Sequence, residues 1–233
     1  MTLTRPIFYS NWTSNLLKQF AGVLCAVTLT TALANTDYDG ILTIAKVRYG
    51  DQAVATVQDW QDLINELTPL KNEAKLEAVN DFFNERVLFV DDIYNWKESD
   101  YWATPLETMG VLKGDCEDFT IAKYITLLLA GMPMEHLRLF YVKAKIGGTN
   151  SPISQAHMVL SYYEKSTSEP LILDNLIPDI KAASNRSDLT PVFSFNSAGI
   201  WVGTSTSAAS NDPASKLSRW SDLIERMQKE GIQ

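Results

Sequence analysis

Residues 110–124, GVLKGDCEDFTIAKY, place a cysteine among three acids where a helix is predicted to begin. Asp115 is a residue type that caps helix N-termini, and Glu117 and Asp118 are favoured in a first turn because negative charge complements the helix dipole. The apolar side chains that follow nearly encircle the segment, which ends at a Gly-x-Pro sequence. This pattern predicts a buried central helix from about 115 to 130.

Cys116 would lie in the first turn of that helix. Unsatisfied N–H groups and the helix dipole lower the pKa of a thiol there, so the position favours a reactive cysteine. Two alternatives stay open. Cys116 could be a small buried apolar residue, and each neighbouring acid could be only a cap, although the polar flanks favour reactivity.

Amphipathic helices are predicted on the N-terminal side of this segment. Residues 51–68 and 75–92 both carry apolar side chains at helical spacing, and these stripes are typical of a core. An aromatic connection rich in Gly and Pro follows, NWKESDYWATPLETMGVLKG. Residues from about 45 to 131 are therefore interpreted as the helical part of the chain.

Short strands are predicted after residue 135. The segments LRLFYVKAKI, AHMVLSYYEK and PLILD are alternating or β-branched and are separated by turn residues, and TPVFSFN and GIWVG could add two more strands. This β-rich part spans about 136–202. A last helix is predicted at about 213–230, with Asp212 as its cap and Pro213 in its first turn. Helices followed by strands predict an α+β fold, with a helical lobe packed on an antiparallel sheet in one domain, residues 35–233.

Residues 1–34 are predicted to be a secretory signal peptide. Arg5 and Lys18 are their only charges, an apolar run follows, and Ala32 and Ala34 give an A-x-A cleavage pattern. The alternative of a membrane anchor is disfavoured because the run FAGVLCAVTLTTALA has 15 residues, whereas a bilayer needs roughly 20. A lipid on Cys25 is disfavoured because bulky Leu24 precedes it.

Cleavage would leave a strongly acidic chain with one cysteine. The whole sequence has 233 residues and is 45% hydrophobic, which suits a single globular domain. Without Arg5 and Lys18 it would keep 18 of its 20 basic side chains and all 28 acidic ones, a formal charge of −10. Such a surface excludes nucleic acid and anionic lipid as partners. In an oxidising compartment Cys116 would have no partner in its own chain.

The two histidines after the signal peptide are His136 and His157. A nucleophilic thiol needs a base, and the base needs an acid that fixes its tautomer. His157 lies in a predicted strand and Asp174 ends the next one, so neighbouring antiparallel strands could set them side by side. The alternative is an ordinary hydrogen-bonded histidine. His136 follows the turn that ends the central helix and is interpreted as an ordinary residue between the helical and β-rich parts. Asp179 is the second candidate for the orienting acid.

The chain resembles the bacterial transglutaminase-like cysteine proteinases, and among them the LapG-type periplasmic proteases that cleave large surface adhesins. The resemblance covers about 45–202, and its most specific block is DYWATPLETMGVLKGDCEDFTIAKY. The other segments that carry it are NDFFNERVLFVDDIYNW, AHMVLSYY and LILDNL. It implies a papain/transglutaminase-like core with Cys116 as nucleophile, His157 as base and Asp174 as orienting acid.

The resemblance also implies calcium, bound by Asp115 and Glu117, with Asp118 as a further candidate ligand. Carboxylates beside a thiol raise its pKa, and a bound cation would reverse that effect. The oxyanion of the reaction would be bound by the backbone N–H of Cys116, and the indole of Trp102 is a candidate second donor. The alternative for Trp102 is core packing.

The function implied by the resemblance is a switchable endopeptidase. It would cut near the N-terminus of a giant adhesin, next to small residues, and so control attachment in a biofilm. An inner-membrane receptor for cyclic di-GMP would sequester it through a periplasmic domain. Two alternatives remain: a transglutaminase or amidase that uses the same triad, and a non-catalytic binding module that keeps only the fold.

Overall fold

The structure, a computed structural model, describes residues 36–213 and 216–233, so the predicted signal peptide lies outside the described residues. The helices are α1 (Tyr38–Tyr49), α2 (Asp51–Leu67), α3 (Asn72–Arg86), α4 (Asp92–Asn95), α5 (Pro105–Val111), α6 (Cys116–Leu129) and α7 (Ser218–Glu230). The strands are β1 (Leu88–Phe89), β2 (Lys113–Gly114), β3 (Leu137–Lys145), β4 (Ser154–Tyr162), β5 (Leu171–Leu173), β6 (Lys181–Ala182), β7 (Leu189–Asn196) and β8 (Gly199–Val202).

Helix α6 is the centre of the helical part, as its encircling apolar pattern predicts. Its side chains from Asp118 to Leu127 are all buried. Trp60 on α2 is fully buried and its Nε1 donates to Thr126 Oγ1 on α6 at 2.7 Å. Lys75 on α3 donates from Nζ to the carbonyl of Ala130 at 2.6 Å, which satisfies a carbonyl that the helix end leaves open. The neighbouring helices therefore fix α6 by hydrogen bonds as well as by packing.

The predicted helix over 75–92 is wrong at its C-terminal end. Helix α3 stops at Arg86, Val87 is extended with φ −96° and ψ 126°, and Leu88–Phe89 form β1, which pairs in parallel with β2. The helical spacing of Val87 and Val90 misled the prediction, because a short apolar run fits a strand as well as a helix. The early end of α3 places the following acids, Asp91 and Asp92, beside the start of α6.

The predicted antiparallel strands form one six-stranded sheet with the order β6-β5-β4-β3-β7-β8. Side chains alternate between its faces. Leu137 and Leu139 join the main core with the helices, whereas Phe140 and Val142 belong to a smaller cluster of buried side chains. Helix α6 contacts β4 and β3. The predicted α+β class, a helical part packed on an antiparallel sheet, is confirmed.

The last helix begins later than predicted. Pro213 lies in a turn, where its carbonyl accepts hydrogen bonds from the backbone N–H groups of Lys216 and Leu217. Leu217 is extended at the N-cap position, so α7 starts at Ser218 and ends at Glu230. The Asp-Pro pair fits a turn as well as a helix start. None of the helices within 36–213 and 216–233 is long and apolar enough to cross a membrane.

Candidate active site

Acidic side chains build the N-terminus of α6. Asp115 is the N-cap, and its Oδ1 accepts from the backbone N–H of Glu117 at 3.2 Å. Asp118 completes a capping box: its Oδ2 accepts from the N–H of Asp115 at 3.3 Å, and its Oδ1 accepts from the N–H of Ala103 at 2.7 Å. Gly114 leaves the room this needs, since a Cβ there would lie 2.7 Å from Asp118 Cβ. The cap therefore ties the helix start to the preceding aromatic connection.

Cys116 and His157 line one cleft of about 250 Å³, together with Asp115, Glu117 and Leu176. Cys116 begins α6, and His157 lies in β4 opposite Val142 of β3. Because α6 packs against β4, the first turn of the helix meets the strand at this point. The structure thus brings the two side chains that the sequence singled out to a common cleft.

Asp174 pairs with His157 as the predicted strand order requires. Strand β5 pairs with β4, with Leu173 opposite Leu160, and Asp174 follows directly. The His157 Nε2 and Asp174 Oδ1 atoms are 2.8 Å apart and both side chains are buried. With Nε2 committed to Asp174, Nδ1 is the ring nitrogen left to accept a proton from a thiol.

The carboxylate of Asp174 is stabilised in its charged form. Burial alone would raise its pKa, but hydrogen bonds from His157, the backbone of Leu176 and Arg186 lower it to about 2. Arg186 Nη2 lies 2.7 Å from Asp174 Oδ2. Arg186 is not identifiable from the sequence, because the segment SNRSD has the pattern of a polar loop and nothing local in it points to Asp174.

The thiol of Cys116 lies in an acidic environment. Its Sγ donates to Glu117 Oε2 at 2.8 Å. Burial, the charge and hydrogen bond of Glu117 and the charge of Asp115 raise the pKa of Cys116 well above its usual value, against a lowering contribution from the backbone of Met158. The expectation that the helix N-terminus lowers this pKa is therefore outweighed by burial and by the neighbouring acids.

Asp92 joins these acids, and the sequence analysis did not single it out. Ligand atoms of Asp92, Asp115 and Asp118 lie within 4.8 Å of one another, and so do those of Asp115, Cys116 and Glu117. Burial and neighbouring carboxylates raise the pKa of Asp115 to about 10, and burial and nearby acids raise that of Asp92 to about 6. The tandem acids in VDDIYNW, just after an apolar run, are the signal that could have identified Asp92.

This acid cluster fits a hard divalent cation. Asp92 Oδ1 is buried and has no hydrogen-bond partner among the residues that the structure describes. Several carboxylates packed together with a free oxygen suit calcium, which takes oxygen ligands. Asp118 is the predicted ligand least available to a cation, since each of its carboxylate oxygens already accepts a backbone hydrogen bond.

Trp102, the candidate second oxyanion donor, already has contacts of its own. Its Nε1 donates to Asp100 Oδ1 at 3.1 Å, and its ring stacks on Phe195 with centroids 5.6 Å apart. The indole N–H therefore already has an acceptor, and the ring packs in the core. This geometry favours the packing alternative over an oxyanion donor.

His136 and Asp179 lie outside the cleft. His136 Nδ1 is 2.6 Å from the carbonyl of Tyr163, and its ring stacks on Tyr162. The Asp179 side chain is 81% exposed and lies 3.7 Å from Lys181 Nζ. Neither residue is placed to take part in chemistry at Cys116.

Comparison with known proteins gives consistent matches. The family model for bacterial transglutaminase-like cysteine proteinases matches residues 48–203. The solved structure of Legionella pneumophila LapG is similar at 38% identity and a TM-score of 0.69, covering 82% of this chain and 97% of that one. An EGTA-treated form matches at 37% identity, covering 82% and 97%, with a TM-score of 0.70. A calcium-bound form matches at 37% identity, covering 82% and 98%, with a TM-score of 0.69. No curated protein sequence matches.

Proposed function

Because the chain belongs to the bacterial transglutaminase-like cysteine proteinases, we propose that it is a calcium-dependent cysteine endopeptidase of the periplasm with a Cys116–His157–Asp174 triad. The observation that carries the proposal is the 2.8 Å contact of His157 Nε2 with Asp174, in a cleft that His157 shares with Cys116. This arrangement supplies a nucleophile, a base and an orienting acid.

The proposed reaction begins with proton transfer from the Cys116 thiol to His157 Nδ1. The thiolate then attacks the scissile carbonyl carbon, and the backbone N–H of Cys116 at the helix N-terminus donates to the developing oxyanion. Collapse breaks the C–N bond as His157 gives its proton to the leaving amine, which leaves a thioester on Cys116. His157 next takes a proton from water, whose oxygen attacks the thioester carbonyl carbon. The C–S bond then breaks, the acid leaves, and His157 returns the proton to the Cys116 sulfur.

Calcium would be held by Asp115 and Glu117, with Asp92 as an added ligand through its Oδ1, which has no hydrogen-bond partner within residues 36–213 and 216–233. A bound cation supplies positive charge that opposes the effect of these carboxylates on the thiol. Asp115 is also the N-cap of α6, so the same side chain would bind calcium and cap the helix. The related LapG has been solved in calcium-bound and EGTA-treated forms, which supports a calcium site in this chain.

The proposed substrate is the N-terminal region of a large surface adhesin, so that cleavage controls attachment in a biofilm. The proposed inhibitor is the periplasmic domain of an inner-membrane receptor for cyclic di-GMP. Both are implied by the resemblance of the motif DYWATPLETMGVLKGDCEDFTIAKY to the LapG-type proteases. The signal-peptide pattern of residues 1–34 supports export, and the acidic charge of the remaining chain is consistent with a protein substrate rather than nucleic acid.

Product analysis tests this function against the acyl-transfer alternative. The purified protein from Asn35 onward, loaded with calcium, is incubated with the adhesin N-terminal region, with and without a primary amine. Mass spectrometry should show two fragments whose masses sum to the substrate plus one water in both mixtures. Conjugates with the amine and no free acid would identify a transferase, and an intact adhesin would overturn the proposal.

A further inference from the structure

We propose that Arg186 is a positioning residue for the triad: its guanidinium holds the Asp174 carboxylate in the orientation that pairs it with His157. The inference rests on the proposed function. Arg186 follows the short turn after β6, far from Cys116 in sequence, and its side chain is 1% exposed. A buried cation beside the orienting acid needs a structural reason, since burying a charge is costly unless it is paired.

Each oxygen of Asp174 has its own donors. Oδ1 accepts from Leu176 N–H at 3.0 Å and contacts His157 Nε2 at 2.8 Å. Oδ2 accepts from Arg186 Nη2 at 2.7 Å. These contacts fix the plane of the carboxylate from both sides. Without the bond to Oδ2, the group could rotate and its alignment with the imidazole would be lost.

Arg186 is itself held by a second carboxylate. Its Nε donates to Asp188 Oδ1 at 3.0 Å and its Nη2 to Asp188 Oδ2 at 2.8 Å. This two-point contact uses the planar fork of the guanidinium, which a lysine cannot reproduce. Asp188 therefore sets the direction in which Arg186 reaches Asp174.

Charged and titratable side chains contact Asp174 from several elements of the described chain. His157 on β4 and Arg186 contact the carboxylate directly, and Asp188 lies behind Arg186. Lys123 of α6 donates from Nζ to the Asp174 backbone carbonyl at 3.2 Å. Burial favours the neutral form of Asp174, whereas the hydrogen bonds from His157, the backbone of Leu176 and Arg186 favour its carboxylate, so removal of Arg186 shifts the balance towards protonation.

A cavity makes the inference testable by chemical rescue. Arg186 lines a cavity of about 440 Å³ at the face of the sheet, beside Phe140 and Ile172. Truncation in Arg186→Ala would join the vacated volume to this cavity. Methylguanidinium could then enter and replace the missing group beside Asp174, whereas an uncharged amide of similar size, which cannot donate the same charged hydrogen bonds, should not restore activity.

The experiment compares Arg186→Met, Arg186→Lys and Arg186→Ala with the wild type, and with Arg138→Met as a control arginine elsewhere on the sheet. We expect kcat on the adhesin fragment to fall at least about tenfold in Arg186→Met and Arg186→Ala, with KM nearly unchanged. Arg186→Lys should lose less activity than Arg186→Met. Millimolar methylguanidinium should restore the activity of Arg186→Ala. Asp188→Asn, which keeps the guanidinium, should show a smaller loss. Unchanged kcat in Arg186→Met would overturn the inference, and if that variant does not fold, unchanged kcat in both Arg186→Lys and Asp188→Asn would do so.

A titration of Asp174, which needs no catalysis, tests the role of Arg186 independently of the proposed function. In the Cys116→Ala protein, the Asp174 carboxyl is titrated by carbon NMR with and without Arg186→Met. The account expects a higher midpoint in the double variant. An unchanged midpoint would contradict it even if activity were lost. If the wild type cleaves nothing, the proposed function fails, and this titration still decides the role of Arg186.

Discussion

The Cys116 thiol donates a hydrogen bond to the carboxylate of its own neighbour, Glu117, with Sγ and Oε2 2.8 Å apart. A negatively charged acceptor at this distance keeps the proton on sulfur. Burial and the nearby acids together raise the pKa of Cys116, with Glu117 contributing the largest charge effect. The site is therefore poorly suited to form a thiolate until positive charge reaches these acids.

Chelation of calcium is expected to stop cleavage reversibly. EGTA should abolish cleavage of the adhesin fragment, and added calcium should restore it, because the cation opposes the charge of Asp115 and Glu117 beside the thiol. Asp115→Ala and Glu117→Ala should behave like the chelated wild type, and Glu66→Ala, an exposed acid on α2, should keep wild-type activity. Full activity of protein shown by elemental analysis to be metal-free would leave the acids as helix caps only.

Asp174→Asn should keep the fold and lower kcat by about 10³-fold or more. The amide preserves the shape of the side chain but does not stabilise the charged imidazole, and it can favour the wrong tautomer. Asp179→Asn is the matched control, since that side chain is exposed and lies outside the cleft. Steady-state kinetics of both variants decide the assignment: a silent Asp174→Asn would remove Asp174 from the proposed triad.

Lys123 should contribute stability that rises with pH, against an opposite contribution from acids such as Asp115, whose raised pKa makes the folded chain bind more protons. Burial lowers the pKa of Lys123 to about 7, although the charge of Asp174 opposes this. An unfolded lysine keeps its proton to roughly pH 10.4, so between these values Lys123 holds its proton more fully in the unfolded chain, and its contribution to the free energy of unfolding increases with pH, by at most about 1.4 kcal/mol per pH unit. Urea unfolding at pH 7 and pH 9 is compared for the wild type and Lys123→Met: the change in the free energy of unfolding from pH 7 to pH 9 should be more positive in the wild type, because the acids contribute to both proteins. Equal changes would show that Lys123 does not titrate in this range.

Export should remove residues 1–34 and leave no tether. The A-x-A pattern predicts that the mature chain begins near Asn35 and fractionates with periplasmic proteins. Edman sequencing and intact mass of protein from the periplasmic fraction provide the test. An intact Met1, or a lipid attached to Cys25, would contradict the predicted localisation.

Local patterns in the sequence predicted much of the fold and part of the site. The cap, the acidic first turn and the encircling apolar residues identified α6, and strand alternation placed His157 and Asp174 on neighbouring strands. These features depend on short-range spacing, which a single sequence displays. The end of α3 was missed because the apolar spacing of Val87 and Val90 does not distinguish helix from strand.

Residues that reach the site through tertiary packing were not predictable in this way. Arg186 comes from a connection whose local pattern is that of an ordinary polar loop. Asp92 begins α4, and the tandem acids there are a local signal that does not show which side chains they meet. Their positions depend on how β1 pairs with β2 and on how the turn after β6 folds back to Asp174. The effect of the neighbouring carboxylates on the pKa of Cys116 was predicted, but the larger effect of burial and the direct contact with Glu117 were not, because they depend on tertiary packing.

The most direct test of the proposed triad is cleavage of the adhesin fragment by calcium-loaded Cys116→Ala and His157→Ala proteins. His136→Ala serves as the control for loss of a histidine, and circular dichroism confirms that each variant is folded. The account predicts that the first two variants lose at least about 10³-fold in kcat/KM while His136→Ala cuts like the wild type. Cleavage by Cys116→Ala at the wild-type rate would contradict it.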